Sequence, residues 1–194
     1  MSRLQELLSS GTVDMHAVST YLDELDAGRR RREVLELGRQ AQRRLFDAAD
    51  GWAPLGLDDL VPPEAPAETE VPHEGRNTLP AFRRFAKVFT RPEPFEGELW
   101  GYNRTSPLLQ TLVGPGYYVA YPHSRPGEVR VDYLRVPPAG LSGWPPVLPN
   151  SARLSRFVYY GTQDVLRKVS RHVSIGRAQK AGRWLPAWFV LVRS

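Results

Sequence analysis

The chain contains no cysteine. That excludes disulfides, thiol nucleophiles, and zinc or iron–sulfur centres ligated by thiolates. It also lacks any run of about 18 apolar residues, the length a membrane-spanning helix needs. The N-terminal stretch MSRLQELLSSG carries Gln5 and Glu6 where a secretory signal requires an unbroken apolar segment. A soluble, cytoplasmic protein is the expectation. Lysine is scarce as well: among 26 basic residues only Lys87, Lys168 and Lys180 are lysines. An arginine bias this general does not by itself point to phosphate recognition. No GxSxG, Walker A, GxGxxG or HExxH pattern occurs, and Gly114-Pro115-Gly116 is too short to cradle a phosphate. The four histidines, His16, His73, His123 and His172, are scattered without metal-ligand spacing, so no metal is expected and no cofactor is indicated.

What is present is proline, 18 residues of it, and a charge distribution that changes sign along the chain. Residues 53–75 hold six acidic residues and no basic one, whereas residues 96–194 hold thirteen basic residues against five acidic ones. An acidic connector before a basic C-terminal half implies either a polyanionic partner or pairing of the two segments with each other.

Three regions follow: an N-terminal helical hairpin over residues 1–52, a proline-rich acidic connector over 53–75, and an α+β domain over 76–194. In the first, Asp14 is placed to cap a helix over Val13–Leu25, with Val18, Leu22 and Leu25 along one stripe. A longer helix over Arg29–Ala49 carries Val34, Leu37, Ala41, Leu45 and Ala48. The run Arg29–Arg32 is neutralised by Asp23, Glu24, Asp26, Glu33 and Glu36, which disfavours nucleic acid without excluding it. In the connector, Leu55, Leu57, Leu60 and Val61 are apolar anchors for a groove.

In the third region, Asn77-Thr78-Leu79-Pro80 reads as a helix start, with Phe82, Phe85 and Phe89 forming an aromatic stripe for the core. Glu98–Tyr102 reads as a short strand, and Ser106-Pro107 opens a helical turn carrying Leu108, Leu109 and Leu112. Tyr117–Tyr121 and Glu128–Val136, joined by PHSRPG, read as a β-hairpin. Leu154–Tyr160 fits strand or helix, and Thr162–Arg171 reads as helix. His172–Lys180 and Leu185–Arg193 read as strands joined at Ala181-Gly182. In the last strand Trp188, Val190 and Val192 alternate with Ala187, Phe189 and Leu191, the pattern of a strand covered on both faces. The expected fold is α+β: an antiparallel sheet of about five strands with packed helices, preceded by an αα-hairpin.

Three functions fit this outline. The first is a small-molecule binding domain for an acyl or aromatic ligand, in a cavity between sheet and helices, with Tyr102, Asn103, Tyr118, Tyr121, Arg135 and Tyr159 as candidate ligand contacts. The second is a hydrolase- or isomerase-like enzyme in the same cavity, with His123, Asp132 and His172 as acid–base candidates. The third is an interaction protein that docks a protein through the N-terminal helices, or a protein or nucleic acid through the basic half. Against the second stands the ordinary role of Arg130 and Asp132 as solvent-facing cross-strand partners.

Overall fold

The computed structural model describes residues 2–9, 11–79, 83–106, 114–138, 140–141, 144 and 161–193. Eight strands follow one another around a closed barrel: β1 (Val71–Asn77), β2 (Arg84–Thr90), β3 (Leu99–Arg104), β4 (Tyr118–Pro122), β5 (Val129–Asp132), β6 (Thr162–Lys168), β7 (Val173–Lys180) and β8 (Arg183–Arg193). Each pairs antiparallel with its chain neighbour, and β8 returns to β1 with His73 opposite Arg193 and Gly75 opposite Leu191. An even number of strands lets an up-and-down meander close on itself antiparallel. Closure leaves no sheet edge unpaired.

The expected α+β fold is therefore corrected. Among the described residues there is no open five-stranded sheet covered by helices; two segments read as helices are strands. Phe85 and Phe89, four residues apart, satisfy the helical period and the strand period equally. In β2 they point inward on either side of Lys87, so the lysine concealed the alternation. Phe82 lies outside the described residues. The helix expected over Thr162–Arg171 is likewise β6, whose Asp164 and Leu166 face inward while Val165 faces out. The segment 71–77, whose first part belongs to the expected connector, forms β1. The helical turn expected over 106–113 and the ambiguous segment 154–160 fall almost wholly outside the described residues.

Other segments form as their residues dictate. Tyr121 pairs with Arg130 in the β4–β5 hairpin. At the β7–β8 connection Ala181 and Gly182 both take positive φ, 49° and 74°, which a two-residue hairpin turn of matching twist requires.

Among the described residues, five short helices accompany the barrel: α1 (Arg3–Ser9), α2 (Met15–Glu24), α3 (Ala27–Leu35), α4 (Arg39–Ala48) and α5 (Leu57–Leu60). Asp14 caps α2, accepting from the backbone N–H groups of His16 and Ala17 at 2.9 and 3.1 Å. The single helix expected over Arg29–Ala49 is two helices, interrupted before Gly38, so the expected αα-hairpin is also corrected. The first four helices bury Leu4, Leu8, Leu22, Val34, Leu45 and Phe46 against Ile175, Trp188, Val190 and Val192 on the outer face of β7 and β8. Phe189 and Leu191 of the same strand point into the barrel. Both faces of β8 are thus covered, as its apolar alternation implies.

Inside, the narrow lumen is filled by aromatic rings placed opposite glycines. A Cβ on Gly101 would collide with the Tyr118 ring and the Val88 carbonyl, and one on Gly176 with the Phe189 ring. One end of the lumen is stoppered by Leu55, Leu57, Leu60 and Val61, packed beneath Phe89, Leu99, Val129, Leu166 and Leu191. His73 fixes this plug: its Nε2 lies 2.8 Å from the Leu60 carbonyl. Burial pushes the His73 imidazole down to about 4, so it is neutral and donates this bond.

Four of the connector's six acidic residues form ion pairs within the molecule. Asp58 pairs with Arg91 at 2.7 Å and Asp59 with Lys168 at 2.6 Å, while Glu70 and Glu74 engage Arg104 and Arg31.

Candidate functional site

The opposite end of the lumen holds a cavity of about 170 Å³. Its walls among the described residues are largely apolar, with Phe85, Leu185, Ala187, Trp188 and Phe189 contributing, and they converge on four polar side chains: Lys87, Asn103, Tyr133 and Asp164. Strand geometry brings these together. Lys87 of β2 and Asn103 of β3 are directly opposed across one ladder. Tyr133 follows β5 directly, and Asp164 stands on β6, four strands around from β2 and hence on the far wall. The long stem of Lys87 spans the lumen to reach it.

The Lys87 Nζ donates to Asp164 Oδ2 at 3.0 Å, to Asn103 Oδ1 at 3.2 Å, and to the Tyr133 hydroxyl. Tyr133 also contacts Asp164 Oδ2 at 3.2 Å, and it accepts from Asn103 Nδ2 at 3.0 Å. Asn103 is held in turn by donation to the Gly116 carbonyl at 3.2 Å. Around the ammonium stand the rings of Tyr118 and Tyr133, each 4.8 Å away, and Phe189 at 5.2 Å. Their negative faces partly replace lost hydration.

Lys87 is 1% exposed. Removal from water pushes its pKa below the ordinary 10.5, and the Asp164 carboxylate opposes that shift. Burial raises the pKa of the Tyr118 hydroxyl well above its ordinary value, so that side chain stays a neutral donor, to the Val88 carbonyl at 3.0 Å. The cluster can therefore present an amine or ammonium, a carboxylate and a phenol to one small polar group, with apolar walls for the remainder of a ligand.

Of the candidate ligand contacts, Asn103 belongs to this cluster and Tyr118 forms part of its floor. Tyr102 lies on the outer face of β3, donating to Glu70 at 2.9 Å and packing with Tyr117 and Trp144. Tyr121 is also outward, donating to Asp132 Oδ2 at 2.8 Å, and Arg135 pairs with Glu98 at 2.6 Å. Tyr159 lies outside the described residues. Among the acid–base candidates, Asp132 is an outer-face residue that also accepts from Gln163 Nε2 at 2.9 Å. His123 sits in the β4–β5 loop between Arg130 and Glu128, and His172 in the β6–β7 turn. Burial lowers the pKa of both. The three are not brought together, and none lines the cavity.

Lys87, Tyr133 and Asp164 were not singled out from the sequence. A signal existed for two of them. One of only three lysines stands inside the apolar run Phe85–Phe89, and Asp164 directly precedes Val165 and Leu166. No group of three or more potential metal ligands occurs among the described residues. Set beside known proteins, the chain matches no family model, no curated protein and no solved structure.

Proposed function

We propose that the barrel binds one small ligand at the Lys87 end of its lumen, with an aromatic or short aliphatic body against Phe85, Leu185 and Phe189 and one polar group at Lys87, Asp164 and Tyr133. The observation that carries this reading is the buried Lys87–Asp164 pair, with Asn103 and Tyr133 beside it, at the wall of a cavity whose remaining surface is mostly apolar. A desolvated ion pair contributes little to stability compared with apolar packing of the same volume, which favours a role beyond holding the fold. Eight-stranded barrels have lumens just wide enough to be filled by side chains or to take one small ligand. At about 170 Å³ the cavity is close to the roughly 150 Å³ that holds a benzene-sized molecule in an apolar protein interior. The site lies within the barrel, not between a sheet and helices.

Native mass spectrometry of the purified protein at low activation energy tests this. Added mass of one small molecule per 21.9 kDa chain, displaced by excess of a small aromatic alcohol, supports it. Bare chain that takes up no small aromatic or carbonyl compound opposes it.

A further inference from the structure

Lys87 is a primary amine at the wall of a cavity, with a carboxylate and a phenol within reach of the same nitrogen. We infer that Lys87 condenses with a small aldehyde or ketone held in the cavity, forming an imine whose counter-ion is Asp164; this rests on the cavity's binding a small ligand, as proposed above.

The geometry supplies each proton movement. Asp164 Oδ2, 3.0 Å from Nζ, accepts a proton from the ammonium and frees the nitrogen lone pair. The lone pair forms the N–C bond to the carbonyl carbon while the carbonyl oxygen takes a proton from the Tyr133 hydroxyl, which recovers it from Asp164 at 3.2 Å. As the nitrogen sheds a second proton to this oxygen, the C–O bond breaks and water departs. Ammonium plus carbonyl compound thus gives protonated imine plus one water, with no oxidant or reductant. The buried positive charge is conserved, so Asp164 never stands unpaired. The imine keeps one N–H, for Asp164. Asn103 and Tyr133 then satisfy each other through their own 3.0 Å contact. Desolvation lowers the cost of deprotonating the amine, the usual means of activating a lysine for carbonyl chemistry. The cavity volume of about 170 Å³ and the apolar side chains Phe85, Leu185 and Phe189 suit a carbonyl compound with a small apolar body.

The primary amines are three lysines and the α-amino group, few enough for peptide mapping to tell each site apart. It is incubated with benzaldehyde and sodium cyanoborohydride, whose hydride reduces an imine to a stable amine, and the modified residue is located by peptide mass spectrometry. In parallel, benzyl alcohol, the same ring without a carbonyl, is titrated against tryptophan emission. The expected result is one benzyl group on Lys87, retained in the Lys168→Arg/Lys180→Arg variant and lost in Lys87→Arg. Benzyl alcohol binding without label on Lys87 overturns the imine and leaves the ligand reading standing. Absence of both overturns both. Because the Lys168→Arg/Lys180→Arg protein leaves the cavity untouched, the test holds even if Lys87→Arg fails to fold.

Discussion

Replacing Lys87 by Met leaves the Asp164 carboxylate inside the barrel with a phenol, and no cation, to balance it. The lost contacts are the 3.0 Å ion pair, the 3.2 Å bond to Asn103, the bond to Tyr133 and three aromatic faces within about 5 Å. Breaking one partner of a buried pair costs about 3–5 kcal/mol, because the other charge stays buried without compensation. Asp164→Leu is expected to cost a similar amount for the converse reason. The double variant, Lys87→Met/Asp164→Leu, removes both charges and fills their space with hydrocarbon. It is expected within about 2 kcal/mol of the parent, on either side. Tyr133 and Asn103 remain bonded to each other in it at 3.0 Å. Urea melts at pH 7 followed by tryptophan emission give all four stabilities, and the coupling energy is expected to exceed about 2 kcal/mol. Single losses below 1 kcal/mol, or additive ones, would refute a buried pair between opposite walls of the lumen.

Two further outcomes follow from the lumen. His73 is 3% exposed and its pKa is pushed down to about 4, against an ordinary 6.5, so the unfolded chain binds its proton first. The neutral-imidazole contribution is full above pH 6.5 and is lost as pH falls from there through 4. About 3 kcal/mol of stability should drain away over that window, less in His73→Gln, as urea melts at pH 7 and 4.5 will read. Gly101→Ala places a Cβ against the Tyr118 ring and the Val88 carbonyl, which the Tyr118 hydroxyl also uses at 3.0 Å. Overpacking of this kind costs about 1–3 kcal/mol, and a thermal midpoint equal to the parent's would contradict the tight lumen.

The parts of this fold legible in the sequence are those whose signals are local. Asp14 announces its cap, PHSRPG its hairpin, and the unbroken apolar alternation of Trp188–Val192 a strand covered on both sides. Closure of the barrel is not local: it rests on His73 meeting Arg193, 120 positions further along the chain. β2 is hard to read locally because Phe85 and Phe89 fit either period and Lys87 interrupts the apolar positions between them. The site was obscured for the same reason. Lys87 and Asp164 look like two solvated charges far apart in sequence, and only curvature of the sheet through four strands turns them toward each other. Asn103 and Tyr118 were legible as polar or aromatic residues on strands near turns. The inward or outward sense that separates them from Tyr102 and Tyr121 depends on register around the whole barrel.

The most direct measurement of the central claim is a two-dimensional ¹⁵N NMR titration with benzyl alcohol, on the parent and on Ala178→Leu. Ala178 faces the cavity from β7, opposite Asp164 in the ladder, and a larger side chain there occupies the ligand's space. Saturable shifts centred on Lys87, Asn103, Asp164 and Phe189, abolished in Ala178→Leu while its spectrum remains that of a folded barrel, are the predicted result. Shifts absent, scattered over the outer surface, or unchanged by the substitution would contradict a ligand site in the lumen.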